Sequence, residues 1–467
     1  MENNSTLVNR KAFIVSAVIL IALIIASGII STIVPSGEYQ REIIDGVEVI
    51  IPDTFEYIEA PDYPVWRWFT APFEVFLSDD ITTVAVLVVV LFLISGSVRS
   101  LANSGVLPDL IARIISKFGT KRNLLIIILC VVDMLIGATL GLFEEALMLL
   151  PIMVILCNQL GWDDEIALGL SVLAVGFGFS AALTNPWSIG VAQEIVGLKA
   201  FSGIWYRAIF FVVMAIVFTS CMIYKVKKRE RLNAIEGIEP IPVEISADPK
   251  LKKGVVFFVI SMLLMVVGLV LSMTISFLSG LALPIMSLFF LLGGVGGALK
   301  SGYGFKAVLK DFKGGAGDML AALVLILLAL STKVIITNSK IVDTLVYVIS
   351  NAISSLHPVV SAIFIYLFVL VLDFFISSAS AKAFLVMSIL SPLCDVVGVT
   401  QQTAVLAFQF GDGFSNILFP TSAVLLIALS MVGISYSKWF KWVIWLQLAA
   451  FILSIAFVGI AVVIGYN

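Results

Sequence analysis

The sequence predicts an all-α polytopic membrane protein, and three observations carry that prediction. Of its 467 residues, 60% are apolar and 13% charged, with a mean hydropathy of +1.12. Soluble domains carry roughly 25% charged residues. Apolar runs recur at 12–34, 81–98, 123–140, 204–224, 254–275, 281–298, 319–336, 360–376 and 442–464, near the roughly 18–20 residues that cross a bilayer. Finally, one pattern of glycine, hydroxyl, asparagine and proline occurs twice inside apolar sequence: Gly176-Phe-Gly-Phe-Ser180 running into Thr184-Asn-Pro186, and Gly411-Asp-Gly-Phe-Ser-Asn416 followed by Pro420-Thr421.

Taken in order, run 12–34 is too long for a secretory leader and has no small-residue cleavage site, which predicts an uncleaved helix. Arg10 and Lys11 precede it. The stretch 35–80 holds eleven Asp or Glu against Arg41 and Arg67 alone. Basic residues gather at Arg99, Arg113, Lys117, Lys121 and Arg122, again between Lys225 and Lys253, and at Lys300, Lys306, Lys310 and Lys313. The positive-inside rule puts the N-terminus and these basic segments in the cytoplasm and the acidic loop outside. Allowing for broken segments, about 10–12 spanning or re-entrant helices are expected. The chain divides into 1–80 (a first helix and an acidic extracellular loop), a first repeat at 81–224, a cytoplasmic basic linker at 225–253 with a turn at Pro240-Ile-Pro242, and a second repeat at 254–467.

Cys130, Cys157, Cys221 and Cys394 lie in or beside apolar runs without paired spacing and read as small buried hydrophobes, not as a disulfide or metal set. His357 is the only histidine, too few for a zinc site. No Walker-type phosphate loop occurs, and no soluble domain is large enough for nucleic acid. Trp66, Trp68, Trp205, Trp439, Trp442 and Trp445 read as an interfacial belt.

The two repeats share an order of events. In the first, an apolar helix leads to Glu144-Glu145, Pro151, a turn at Gly161 and the Gly-Phe-Gly-Phe-Ser segment. In the second, a helix carrying Asp373 leads to Ser377-Ser-Ala-Ser380, Ser388, a turn at Gly398 and the Gly-Asp-Gly-Phe-Ser segment. Paired interruptions in corresponding positions of two halves point to a transporter's binding site. An odd number of helices per repeat would insert the copies with opposite topology.

Ionisable groups within a membrane cost roughly 2.5–3.5 kcal/mol each on insertion scales and are functional candidates by default. Here they are Asp133, Glu144, Glu145, Asp373, Lys382 and Asp412. Adjacent Glu144 and Glu145 would point about 100° apart on a helix, so one faces the path and the other pairs or sits at an interface. Asp412 stands between Gly411 and Gly413, where backbone can approach a ligand. Ser180, Thr184, Asn185, Ser415, Asn416 and Thr421, with freed carbonyls, can hold Na⁺ near Asn185 and Asn416 or a substrate carboxylate. Pro186 opens a half-helix whose N-terminus favours an anionic group. The bland alternative for these small polar residues is helix-to-helix glue, which explains no paired break.

These segments resemble the C4-dicarboxylate anaerobic carrier family (the DcuC and YfcC type) of the ion transporter superfamily. The carriers of the resemblance are Gly141-Leu-Phe-Glu-Glu145 to Pro151, Thr184-Asn-Pro186, and Thr400 through Asn416 with Phe419-Pro-Thr421. Ser388 departs from it, where proline is usual. The resemblance implies two inverted repeats, each with a re-entrant hairpin and a broken helix, in an elevator-type transport domain beside a scaffold domain that dimerises. By motif match the site falls on Thr184, Asn185, Ser415, Asn416 and Thr421, closed by Glu144 and by Ser377, Ser378 and Ser380.

The expected function is secondary active transport in a bacterial cytoplasmic membrane, with Na⁺ or H⁺ as coupling ion and no other cofactor. Five acidic candidates against Lys382 favour a substrate with a positive group, such as arginine exchanged for ornithine. A cation-coupled C4-dicarboxylate or short-chain carboxylate carrier is the alternative. A channel would conduct without saturation or trans-stimulation. An intramembrane aspartyl protease would use Asp373 and Asp412, but the glycine its motif needs two residues before Gly411 is Gln409.

Overall fold

The computed structural model describes residues 10–44, 47–51, 53–78, 81–118, 121–236, 245–274, 281–353 and 356–467; the proline turn expected at Pro240 and Pro242 lies outside them. Apolar run follows helix closely. The chain opens with α1 (Arg10–Ile33), then short strands β1 (Gly37–Glu38), β2 (Arg41–Ile44), β3 (Val47–Ile50) and β4 (Glu56–Tyr57), then α2 (Trp66–Glu74). Helices α3 (Ile81–Asn103) and α4 (Val106–Phe118) follow, and α5 (Arg122–Leu135) runs on through a π turn at Ile136–Leu140. After a loop come α6 (Ala146–Gln159), α7 (Asp164–Leu168), a π segment at Gly169–Leu173 and α8 (Ala174–Ser180). A second π turn, Pro186–Gly190, leads into α9 (Val191–Ile195) and the long α10 (Ile204–Glu236). The remainder is α11 (Pro249–Thr274), α12 (Ala282–Lys300), α13 (Phe305–Asn338), α14 (Val342–Ile353), α15 (Pro358–Asp373), α16 (Ala379–Val397), α17 (Gln401–Ser415), α18 (Ala423–Val432) and α19 (Tyr436–Val463).

Among the described residues, five single helices are long and apolar enough to cross a bilayer, two further pairs are each bent by 71°, and five more apolar helices are shorter. The molecule is an all-α polytopic membrane protein. The basic linker expected at 225–253 is largely helix, because α10 continues to Glu236 and α11 begins at Pro249. Charged residues are good helix formers, and nothing before Glu236 interrupts the helix begun in the apolar run.

Helices α1, α3, α11, α12 and α13 pack on one another, while α5 to α10 and α15 to α19 form a second body. Within that second body the order of elements repeats. Bent pair α3–α4 and bent pair α13–α14 each precede a helix, a loop and a helix. Gly161 (φ 77°) and Gly398 (φ 74°) then make the turns, in the left-handed region glycine favours. Asp163 and Thr400 cap the next helices, accepting from the Ile166 and Thr403 amides. Each copy then breaks, restarts as a half-helix and ends in a long helix. Ser388 donates back to the Phe384 carbonyl at 2.7 Å, a bond that bends helices, and Pro392 lies further along α16.

The acidic loop forms a small cap over the α13–α14 bend. Antiparallel pairs β1–β4 and β2–β3 give it shape. Arg41 Nη2 donates to both Asp343 oxygens at 2.9 and 2.7 Å, the Tyr39 amide donates to Asp343 Oδ2 at 3.0 Å, and Phe55 stacks on Tyr347. His357 caps α15, its Nδ1 accepting from the Val359 amide ahead of Pro358. That is a structural task. Among the described residues none of the four cysteines forms a disulfide.

Candidate functional site

The motif glycines do not break the chain. They lie inside α8 and α17, which end at Ser180 and Ser415, and the breaks follow at 181–185 and 416–422. Their missing side chains permit close helix contact instead. A Cβ on Gly178 would stand 1.8 Å from the Met134 carbonyl oxygen on α5, and one on Gly411 2.7 Å from the Tyr366 carbonyl oxygen on α15. The other glycine of each pair faces the opposite copy: Gly176 lies against Ile417, and Gly413 against Ser180. The two interruptions therefore meet, and Gln409 ties them further by donating to the Phe179 carbonyl at 2.8 Å.

Backbone freed at a break must find partners inside the protein. At the first break the Leu183 and Thr184 amides donate to the Ala138 carbonyl at 2.8 and 3.1 Å. The Thr184 hydroxyl reaches the Thr139 carbonyl at 3.3 Å. Arg207 of α10, 2% exposed, donates to the Leu183 carbonyl at 3.0 Å. At the second break, Trp439 and Tyr436 of α19 donate to the Ile417 and Leu418 carbonyls at 3.1 and 3.0 Å. In both copies the long helix that follows the break holds its carbonyls.

Trp439 therefore leaves the expected interfacial belt. It is 1% exposed, and Trp68 is likewise buried. Trp442 is half-buried, stacked on Trp439 and under Lys225 Nζ at 3.8 Å. Trp66, Trp205 and Trp445 are exposed. Arg207, Tyr436 and Trp439 were absent from the sequence-derived site. For Arg207 a signal existed, since an arginine within an apolar run is a functional candidate by default.

Several predicted residues present unused polar atoms. Asn185 is fully buried; its Oδ1 accepts from the Trp187 amide at 2.9 Å, leaving Nδ2 unpartnered. It caps the half-helix that Pro186 opens. Ser188 Oγ and Thr421 Oγ1 are also buried without partners. Ser180 and Ser415 donate to Gly176 and Gly411 carbonyls at 2.7 and 2.8 Å, and Asn416 Nδ2 donates to the Asp412 carbonyl at 2.8 Å. Ser380 joins the second hairpin to the first break, donating to the Trp187 carbonyl at 2.7 Å. Ser378 is exposed and caps α16, and Ser377 is exposed.

Glu144 and Glu145 separate as their adjacency predicts. Glu144 is exposed, within Coulombic reach of Asp412. Glu145 is 7% exposed with Oε2 unpartnered, so the basic partner foreseen for it is missing among the described residues. Asp133 is buried and Oδ2 has no partner.

Lys382 joins α15, α16 and α17. Fully buried, it donates to Asp373 Oδ1 and, at 2.8 Å, to Asp412 Oδ1, while Asp412 Oδ2 remains unpartnered. Buried charges persist when paired like this. The charge count made from sequence changes accordingly: Lys382 offsets one aspartate, and Arg207 adds a second buried base. A protease dyad shares a proton between two carboxylates, whereas here both aspartates are held by a lysine.

Paired breaks in a helical membrane chain, joined to each other and lined with unused polar atoms, are the layout of a membrane transporter. The chain belongs to the C4-dicarboxylate anaerobic carrier family, whose family model matches residues 13–463. It is 28% identical over 487 residues to YfcC of Escherichia coli (strain K12), with 96% of each chain covered; that protein bears the provisional name basic amino acid antiporter. An uncharacterised protein of Haemophilus influenzae is 26% identical over 76% of this chain and 71% of its own. Among solved structures, the Alcanivorax borkumensis YdaH transporter aligns with a TM-score of 0.46 at 15% identity, covering 96% of this chain and 98% of its own. Neisseria gonorrhoeae MtrF aligns at 0.42 and 15%, covering 95% and 94%.

Proposed function

We propose that the chain is a secondary active carrier of the cytoplasmic membrane, exchanging a basic amino acid such as arginine for a related one such as ornithine. The observation that carries the reading is the charge arrangement at the breaks. Glu144 is exposed beside Asp412, and Asp412 keeps one oxygen unpartnered. The buried bases are already engaged, Lys382 by two aspartates and Arg207 by carbonyls. A cationic head group suits the carboxylates, while the α-carboxylate suits Asn185 Nδ2 and the half-helix N-terminus that Asn185 caps. The name given to YfcC supports the same substrate class.

In this reading the repeats are inserted with opposite topology. The break-bearing body moves as an elevator against a dimeric scaffold built from α3 and α11 to α13, driven by exchange or by a Na⁺ or H⁺ gradient. The test is uptake of labelled arginine and labelled succinate into proteoliposomes, with and without internal ornithine, under imposed Na⁺ and pH gradients. Arginine flux stimulated by internal ornithine supports the proposal. Succinate flux driven by a cation gradient overturns the substrate and leaves the breaks as the site of a dicarboxylate carrier.

A further inference from the structure

We propose that the cap carries a second ligand site, for a small organic monocation bearing an ammonium or guanidinium group. A cavity of about 510 Å³ lies between the cap and α16. Tyr39, Phe55 and Tyr347 line it from the cap and α14, and Pro392 and Val396 line it from α16. Phe55 and Tyr347 stack with centroids 4.1 Å apart, and Tyr39 tilts toward Phe55 at 5.2 Å. Aromatic rings clustered around a cavity attract cations through their quadrupoles, with guanidinium and alkylammonium groups favoured.

Asp53 supplies the charge. It lines the same cavity, is exposed and sits in left-handed backbone at φ 61°, a conformation aspartate adopts more readily than most L-residues. It makes no ion pair among the described residues. The neighbouring bases are all committed: Arg41 to Asp343, Lys340 to Glu38 and Arg67 to Glu74. Among the described residues, an anion entering the cavity would meet an unmatched carboxylate and no uncommitted base, whereas a cation would meet three aromatic rings and that carboxylate. Because α16 forms one wall, an occupant would touch the hairpin that carries Lys382.

No residue of either break lines the cavity, and a variant at Glu144, the carboxylate proposed for the head group at the breaks, separates the two. Methylguanidinium binding to the purified full-length protein, followed by saturation-transfer NMR, is expected to be saturable. Asp53→Asn should weaken it at least about tenfold, the worth of one charged hydrogen bond. Glu59→Gln, on the same loop but outside the cavity, and Glu144→Gln, which removes the carboxylate proposed for the head group at the breaks, should leave it unchanged. Absence of saturable binding overturns the proposal, as does binding that survives Asp53→Asn. Equal loss in Glu59→Gln would reduce the effect to general surface charge, and loss in Glu144→Gln alone would move the cation to the breaks. Neither result bears on whether arginine is transported.

Discussion

Gly413 on α17 faces Ser180 at the end of α8, so closely that a Cβ at Gly413 would stand 2.4 Å from the Ser180 Cα. Helix propensity alone favours alanine over glycine by about 1 kcal/mol, but an overpacked contact against backbone costs typically 1–3 kcal/mol. Gly413→Ala should therefore lower the melting temperature and suppress uptake. Gly459→Ala on α19, whose added methyl meets nothing nearer than 3.8 Å, should be neutral or stabilising by differential scanning fluorimetry.

Removing the amino group of Lys382 leaves Asp373 and Asp412 buried and unpaired. Breaking a buried ion pair costs about 3–5 kcal/mol, so Lys382→Met should yield little folded protein. Combining it with Asp373→Asn and Asp412→Asn should restore a monodisperse elution profile without restoring uptake. Recovery of transport in the triple variant would assign the three residues a packing role alone.

Trp439→Phe keeps the ring and deletes the donor to the Ile417 carbonyl. An orphaned buried carbonyl costs roughly 1–3 kcal/mol. Reduced thermal stability is expected, with faster backbone hydrogen exchange across 416–422 and no change across 181–185. Uniform exchange in both breaks would show that Trp439 does not hold the second one.

Asn185→Ala and Asn416→Ala should abolish uptake in proteoliposomes while chromatography and circular dichroism remain those of the parent. Cys157→Ala, buried and outside any disulfide, should transport normally. Normal uptake by both asparagine variants would make the breaks purely structural.

Outside the spans, Glu74 gives the cap an acid sensitivity. Burial pushes its carboxyl upward, but hydrogen bonds from Arg67 and Thr70 outweigh burial and hold it below the ordinary glutamate value of 4.5. A depressed carboxyl adds stability above its unfolded value, and that stability is lost as pH falls through the folded one. The hydrogen-exchange protection of α2, taken relative to the intrinsic exchange rate at each pH, should fall below about pH 4.5, and Glu74→Gln should remove the dependence.

Much of this architecture was legible in the sequence. Helix positions followed from apolar runs because the bilayer demands length and uniformity. Asn185, Pro186 and Asn416 could be placed at the breaks because helix caps are local. What escaped depends on tertiary contact. The glycines read as breakers, yet α8 and α17 run through them because neighbouring helices occupy the space of the absent side chains. Trp439 read as a membrane anchor since its indole partner, the Ile417 carbonyl, lies on another helix. Lys382 could be named a candidate but not assigned, because its two carboxylates come from α15 and α17 and meet only when the hairpin folds.

The carbonyls at the two breaks are held by Arg207, Tyr436 and Trp439, residues of α10 and α19 that are themselves long enough to cross a membrane. No break can slide past its own long helix without exposing those oxygens to hydrocarbon. In the elevator motion proposed above, what travels would include α10 and α19 as cargo, with the shear plane beyond them, against the body of α1, α3 and α11 to α13.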